Sequence, residues 1–218
     1  MTEREVYKKI QPLIEGYMEG LYWDFKERVS DTTEIIKDIL AFSNSSYEGD
    51  SYIIVGVAEG TGRRTLALSQ ADRLRLDTNA NNLYFPSKWR LRGLNASDIN
   101  KMKSFSKELT DKIEACMLIS VPQCEFVPIQ IKKKHWLFVI IVKKIPGVFV
   151  SKKDLKKDMG SGIEKTVVKE NVLYIRISDT TIGNDASKPT PATEHIRVWK
   201  RYIDWLRNSG GGNDDLSE

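Results

Sequence analysis

The 218-residue chain has little of what most metal and hydrolytic centres are made from: two cysteines and two histidines. Cys116 and Cys124 are too few for a disulfide framework or a cysteine zinc site, and His135 and His195 cannot make a histidine-based one. No zinc is therefore expected. A Walker phosphate loop, a GxGxxG fingerprint, an HExxH helix and a GxSxG elbow are all missing, which removes the usual phosphate-loop, dinucleotide, metalloprotease and serine-hydrolase signatures. The longest apolar run, Trp136 to Val142, is far short of the ~20 residues needed to cross a bilayer as a helix. The chain starts without a charged-then-apolar leader, and with so little cysteine the expectation is a cytoplasmic protein that avoids membranes. No internal repeat is visible.

What is present suits an ordinary folded protein. With 40% hydrophobic and 29% charged residues, the length can bury a real core. One domain over residues 1–208 is expected, followed by a disordered acidic tail over 209–218. The net charge is only +4, but lysines concentrate at Lys132 to Lys134, Lys143-Lys144, Lys152-Lys153 and Lys156-Lys157. The middle of the chain is thus locally far more cationic than the total, a pattern that admits a polyanionic partner.

Apolar spacing gives the elements. Val6, Ile10, Leu13, Ile14 and Tyr17 mark a first helix interrupted by Pro12, and Leu21 to Phe25 alternate like a strand. Asp31 and Glu34 have helix-starting spacing ahead of Ile35, Ile36, Ile39, Leu40 and Phe42. Ser51 to Val57 is β-branched and continuous, as in a strand covered on both faces. Residues 61–95 read as loops with one short helix, and Ser97 to Met117 as a long amphipathic helix. A hairpin over Glu125 to Ile131 and Trp136 to Lys143 follows. Ser151 to Glu170, with Gly160-Ser161-Gly162, reads as an exposed mobile loop, and Val172 to Ile177 as strand. The last helix begins at Thr190-Pro191, with Ile196, Trp199, Ile203 and Leu206 expected inward and Arg197, Lys200, Arg201 and Arg207 outward. This order predicts an α+β fold, a mixed sheet with helices packed mainly on one side.

Three acids stand where chemistry could be done: Glu19 before the first strand, Asp24 within it and Glu59 beyond the central strand. Parity puts Asp24 with Lys26 and opposite Trp23 and Phe25. Carboxylates brought together repel unless a cation sits among them, and an all-oxygen site suits Mg²⁺ or Mn²⁺. Such a metal could activate water and neutralise a phosphate, with Lys26 as a further phosphate contact. The plainer alternative is three solvated acids and an Asp24–Lys26 ion pair.

Glu19 and then Asp24-Phe25-Lys26, Ala41-Phe42-Ser43-Asn44, Ile53 to Glu59, and Leu173-Tyr174-Ile175-Arg176-Ile177-Ser178-Asp179 stand in an order that resembles the Schlafen-type AlbA-like domain. The resemblance spans about Tyr17 to Thr181. It implies a nucleic-acid-binding α+β lobe and, carried over by position, a three-acid site of Glu19, Asp24 and Glu59 like the one with which Schlafen proteins cleave transfer and ribosomal RNA. Four departures stand out. Asp24 replaces a Glu, Glu59 replaces an Asp, Ser45 to Asp50 replaces a Gly-Gly turn, and Asp179 replaces a Gly. Schlafen proteins have two such lobes and a zinc site; this chain has one lobe, so an equivalent groove implies a homodimer.

The leading expectation is a metal-dependent endoribonuclease acting on structured RNA such as tRNA. Glu19, Asp24 and Glu59 would hold the metal, and Lys26 and Arg176 would position phosphate. Lys152, Lys153, Lys156 and Lys157 would track the backbone of RNA or DNA. The plainer alternative for Arg176 is a structural salt bridge to one of the acids. The alternative is a non-catalytic DNA- or RNA-binding regulatory module, and a weaker one is a nucleotide-binding regulator. Trp23, Trp136 and Trp199 are expected in the core rather than stacked on bases.

Overall fold

A computed structural model describes residues 1–15, 19–29, 31–59, 69–76, 89–183 and 190–210. Its centre is a four-stranded sheet in the order β1 (Trp23–Lys26), β2 (Ser51–Val55), β6 (His135–Val142) and β5 (Cys124–Lys132). β1 runs parallel to β2, and the other two pairings are antiparallel, so the sheet is mixed. The first helix, α1 (Glu3–Glu15), carries Pro12 inside it. Helix α2 (Thr32–Ser43) joins β1 to β2, and its N-terminus is capped by Asp31, whose carboxylate accepts the Thr33 N–H at 2.6 Å. The long helix α4 (Ala96–Cys116) opens with a capping box between Asn95 and Asp98.

The α+β expectation holds, and the helices divide between the two faces of the sheet. Ile53, Val55, Phe138, Ile140 and Val142 pack with α2 and α4. Tyr52, Ile54, Leu137, Val139 and Ile141 pack with α1 and Leu76 of α3 (Gln70–Leu76). The two inner strands are apolar at successive positions, which obliges both faces to be covered. Register puts Asp24 beside Ile53 and Lys26 beside Val55, so both lie on the α2 face while Phe25 joins the α1 side.

The strand expected through Val57 stops at Val55. Gly56 has φ +108, outside the range a side-chain-bearing residue readily adopts, and a Cβ there would meet Leu137 Cδ2 at 3.0 Å. The chain turns and continues as β3 (Val57–Glu59), antiparallel to β4 (Trp89–Leu91). In residues 61–95 the expected short helix is α3; 61–68 and 77–88 lie outside the described residues, as does the stretch 211–218 of the expected tail.

Two further expectations are corrected. The segment read as a mobile loop is a hairpin, β7 (Leu155–Asp158) with β8 (Glu164–Val168), turning through Gly160 and Gly162 at positive φ. Leu155 and Val168 are buried against the α2 core, which fixes it. The late strand is short, β9 (Ile175–Ile177), paired with β10 (Thr180–Ile182).

The last helix, α5 (Ala192–Gly210), is rotated from its expected setting. Val198 is buried, with Tyr202 packed against the same cluster, whereas Ile196, Trp199, Ile203 and Leu206 are between 41% and 67% exposed. The reason is electrostatic. The last carbonyls of α2 and its cap need donors, and Arg197 gives hydrogen bonds to Asn44 O at 2.7 Å and Ser45 O at 3.2 Å, Arg201 to Ser43 O at 3.2 Å and Ser45 O at 3.1 Å. Arginines expected to face solvent turn in, and the apolar stripe turns out. Among the described residues no helix is long and apolar enough to cross a membrane.

Candidate functional site

Four elements bring charges together on the α2 face of the sheet. Strand parity delivers Asp24 and Lys26 from β1, α2 supplies Asp38, β9 supplies Arg176, and Glu19 reaches in from just before β1. Lys26 Nζ lies 2.6 Å from Asp24 Oδ2 and 3.1 Å from Asp38 Oδ2. Arg176 donates to Asp24 Oδ1 at 2.9 Å and to the carbonyls of Gly20 at 3.2 Å and Trp23 at 3.4 Å. Its guanidinium sits 5.0 Å from the centre of the Phe42 ring.

Asp24 is only 3% exposed, and both its oxygens face a cation. Burial pushes the Asp38 carboxyl up, and the Lys26 ammonium opposes that rise. Burial presses hardest on Lys26, downwards, but Asp38 and Asp24 together hold its pKa above the ordinary lysine value. Glu19 is the outlier. Its Oε1 accepts the Phe25 N–H at 3.0 Å and its Oε2 is 3.9 Å from Arg176, yet burial and the nearby Asp24 charge push its carboxyl up to about 7.

These positions give a mixed result for the expected site. Glu19, Asp24 and Arg176 do meet, and Lys26 joins them. Arg176 forms the structural salt bridge that was the alternative to a phosphate contact, since it is buried and engaged throughout. The backbone of Glu59 ends β3 opposite Trp89, while its side chain lies outside the described residues. As they stand, the described carboxylates do not fit a shared Mg²⁺ or Mn²⁺: Asp24 is taken by Lys26 and Arg176, and a divalent ion there would have to displace one of them. Nor do three or more metal-ligating side chains cluster among the described residues.

Above this cluster lies a groove of about 500 Å³ between α2 and the β7–β8 hairpin. Lys26 and Asp38 form part of its wall, and Lys37, Lys157, Lys165 and Lys169 line it with Tyr174. Lys157 pairs with Glu34 at 2.7 Å. Lys37, Lys165 and Lys169 have no carboxylate in ion-pair range among the described residues, and Lys37 sits 5.4 Å from the centre of the Tyr174 ring. Of the lysines expected to track a backbone, Lys157 lines the groove. Lys156 points away to Glu164 at 3.0 Å, and Lys152 and Lys153 are exposed outside the groove.

Sequence reasoning missed Asp38, Lys37, Lys165 and Lys169. Asp38 had a readable signal: it stands three residues after Ile35 and four before Phe42, an acid on the inward face of an otherwise apolar helix. Lys165 and Lys169 lay in a segment whose lysines were expected to track phosphate, but only the hairpin brings β8 opposite α2 and Lys37.

The mixed α+β sheet thus carries a buried charge network beneath a lysine-lined groove, a cationic surface suited to a polyanion. The family model described as Schlafen, AlbA_2 matches residues 19–202, and the chain belongs to that family. Its function is therefore nucleic-acid-related. No curated protein and no solved structure matches the chain.

Proposed function

We propose that this protein binds structured RNA, with transfer RNA as the representative substrate class, by laying the phosphate backbone in the groove between α2 and the β7–β8 hairpin. The observation that carries this reading is the group of three lysines without a carboxylate partner among the described residues, Lys37 on α2 and Lys165 and Lys169 on and just after β8. An ammonium without a carboxylate releases its counterion to a phosphate without first breaking an ion pair, which gives salt-dependent affinity. The network beneath, Asp24, Lys26, Asp38 and Arg176, ties β1, α2 and β9 together and so holds the groove floor in place. On this reading the acids brace the site.

A second reading, cleavage of the bound RNA, is favoured by one specific observation. Glu19 is partly exposed and its carboxyl is pushed up to about 7, so at neutral pH it can both hold and release a proton. Burial and charge are how such a group is tuned.

Anisotropy titrations with labelled transfer RNA, single-stranded RNA and duplex DNA separate the readings, run with and without Mg²⁺ or Mn²⁺ and followed by gel analysis of RNA length. Transfer RNA binding that weakens steeply with salt, with the RNA left intact in every condition, supports the binding reading. Fragments that vanish in Glu19→Gln while binding persists establish cleavage. Absence of binding to all three nucleic acids at low salt overturns both.

A further inference from the structure

Helix α5 has two faces that serve different masters. Its inner face is fixed by Val198 in the core and by Arg197 and Arg201 on the carbonyls that end α2. Its outer face carries Ile196, Trp199, Ile203 and Leu206, all exposed, at intervals of three, four and three residues. Those intervals are the a and d positions of two heptads, with isoleucine at both a positions and leucine at one d. Nothing among the described residues of the chain covers the stripe, although burying each such side chain is worth about 1.5–3 kcal/mol.

We infer that this stripe is where two copies of the chain associate, α5 packed in parallel against α5. Three features point to a second copy rather than another occupant. The heptad with β-branched a positions is the pattern that pairs with itself in two-stranded parallel coils. The flanks are self-complementary as well. Lys200 and Arg207 occupy the e positions on one side of the stripe, while the g positions on the other hold His195 and Tyr202, the latter edge-on to Trp199 at 6.4 Å. In a parallel pair each e residue meets the partner's g residue, which sets Lys200 beside an imidazole and Arg207 beside the half-buried Tyr202 ring, the latter a cation–π arrangement. In an antiparallel pair Lys200 and Arg207 would face each other as like charges. Finally, α5 is already held as a helix by its inner face, so pairing does not have to order it first, and two heptads suffice for a modest contact.

The inference rests on α5 alone, so loss of self-association and loss of RNA binding are separate results. Sedimentation of the full chain from about 1 to 200 µM should show a reversible monomer–dimer equilibrium. Ile203→Glu should weaken association by at least about a hundredfold while circular dichroism and melting temperature stay as in the parent, because the side chain is solvent-facing in the monomer. With Cys124→Ser removing the partly exposed native thiol, Leu206→Cys should oxidise readily to a covalent dimer, since d residues face each other across a parallel pair. A chain that stays monomeric throughout the range, or a dimer that survives Ile203→Glu, overturns the interface. Cross-linking of Leu206→Cys only to a copy carrying Ile196→Cys overturns the parallel arrangement.

Discussion

The floor and the rim of the groove hold the same kinds of residue in opposite electrostatic condition. On the floor, Asp24, Lys26, Asp38 and Arg176 satisfy one another within about hydrogen-bond distance and are largely shut off from water. On the rim, Lys37, Lys165 and Lys169 have no acid partner among the described residues, Lys37 half-buried and the other two exposed. Charge that is already paired and buried can organise structure but has little left to offer a ligand. Charge that is exposed and unpaired contributes little to the fold and is free to meet phosphate. The comparison therefore assigns stability to the floor and affinity to the rim, and each assignment can be broken separately.

The largest effect should come from the floor. Asp24→Ala takes from the buried Arg176 guanidinium its hydrogen-bonded carboxylate, leaving Glu19 at 3.9 Å, and removes one of two partners from Lys26. Removing one member of a buried pair typically costs about 3–5 kcal/mol, and urea denaturation should show a loss of that size. A loss below about 1 kcal/mol would mean that water reaches the pair and that the floor is no brace.

On the rim the expected pattern is reversed. Lys37→Ala, Lys165→Ala and Lys169→Ala combined should leave the unfolding midpoint almost unchanged and cut RNA affinity strongly at low salt. The slope of log K against log salt should fall by about 2 to 3, since three phosphate contacts each carry roughly 0.7 to 0.9. An unaltered slope would place the bound RNA elsewhere on the protein.

How much of this was legible beforehand follows from the range of the interactions involved. The strand parity of residues 21–26 correctly put Asp24 and Lys26 on one face, because a period of two is a local property. The resemblance grouped Glu19, Asp24 and Glu59, with Arg176 as a separate phosphate contact; Glu19, Asp24 and Arg176 lie together, whereas the Glu59 side chain is outside the described residues. The α5 stripe was recognised as apolar but assigned to the wrong side. Periodicity marks which residues share a face and says nothing about what that face meets, and here the carbonyls ending α2 drew the arginine face inward instead. The lysine groove depended on a hairpin read as a loop. Its strands are short and lysine-rich, and Leu155, Val168 and the partly buried Val167 carry the apolar anchoring.

Glu19 sits between floor and rim and gives a pH-dependent test. Its folded-state value of about 7 lies above the ordinary 4.5, so the folded protein keeps a proton that the unfolded chain has lost. The stability linked to Glu19 is therefore complete below about 4.5 and declines as pH rises towards 7. Asp38, raised by burial, acts in the same direction. Glu19→Gln should flatten part of the decline in melting temperature over this window. An identical pH profile in parent and variant would show that Glu19 stays ionised in the folded state.

The smallest effect is expected at Lys152 and Lys153, and it tests whether position or mere charge governs binding. Both are exposed and both lie outside the groove, and the Lys152 backbone N–H donates to Cys116 O at 2.8 Å. Were affinity set by net charge alone, Lys152→Ala with Lys153→Ala would cost about two thirds of what the three groove lysines cost, because long-range attraction counts charges wherever they sit. Screening at ~0.15 M salt confines unpaired surface charges to about 8 Å of influence, so under those conditions the double variant should change the dissociation constant by less than about twofold. A larger loss would extend the RNA path from the groove across the turn between β6 and β7, and the division between floor and rim would then describe only part of the binding surface.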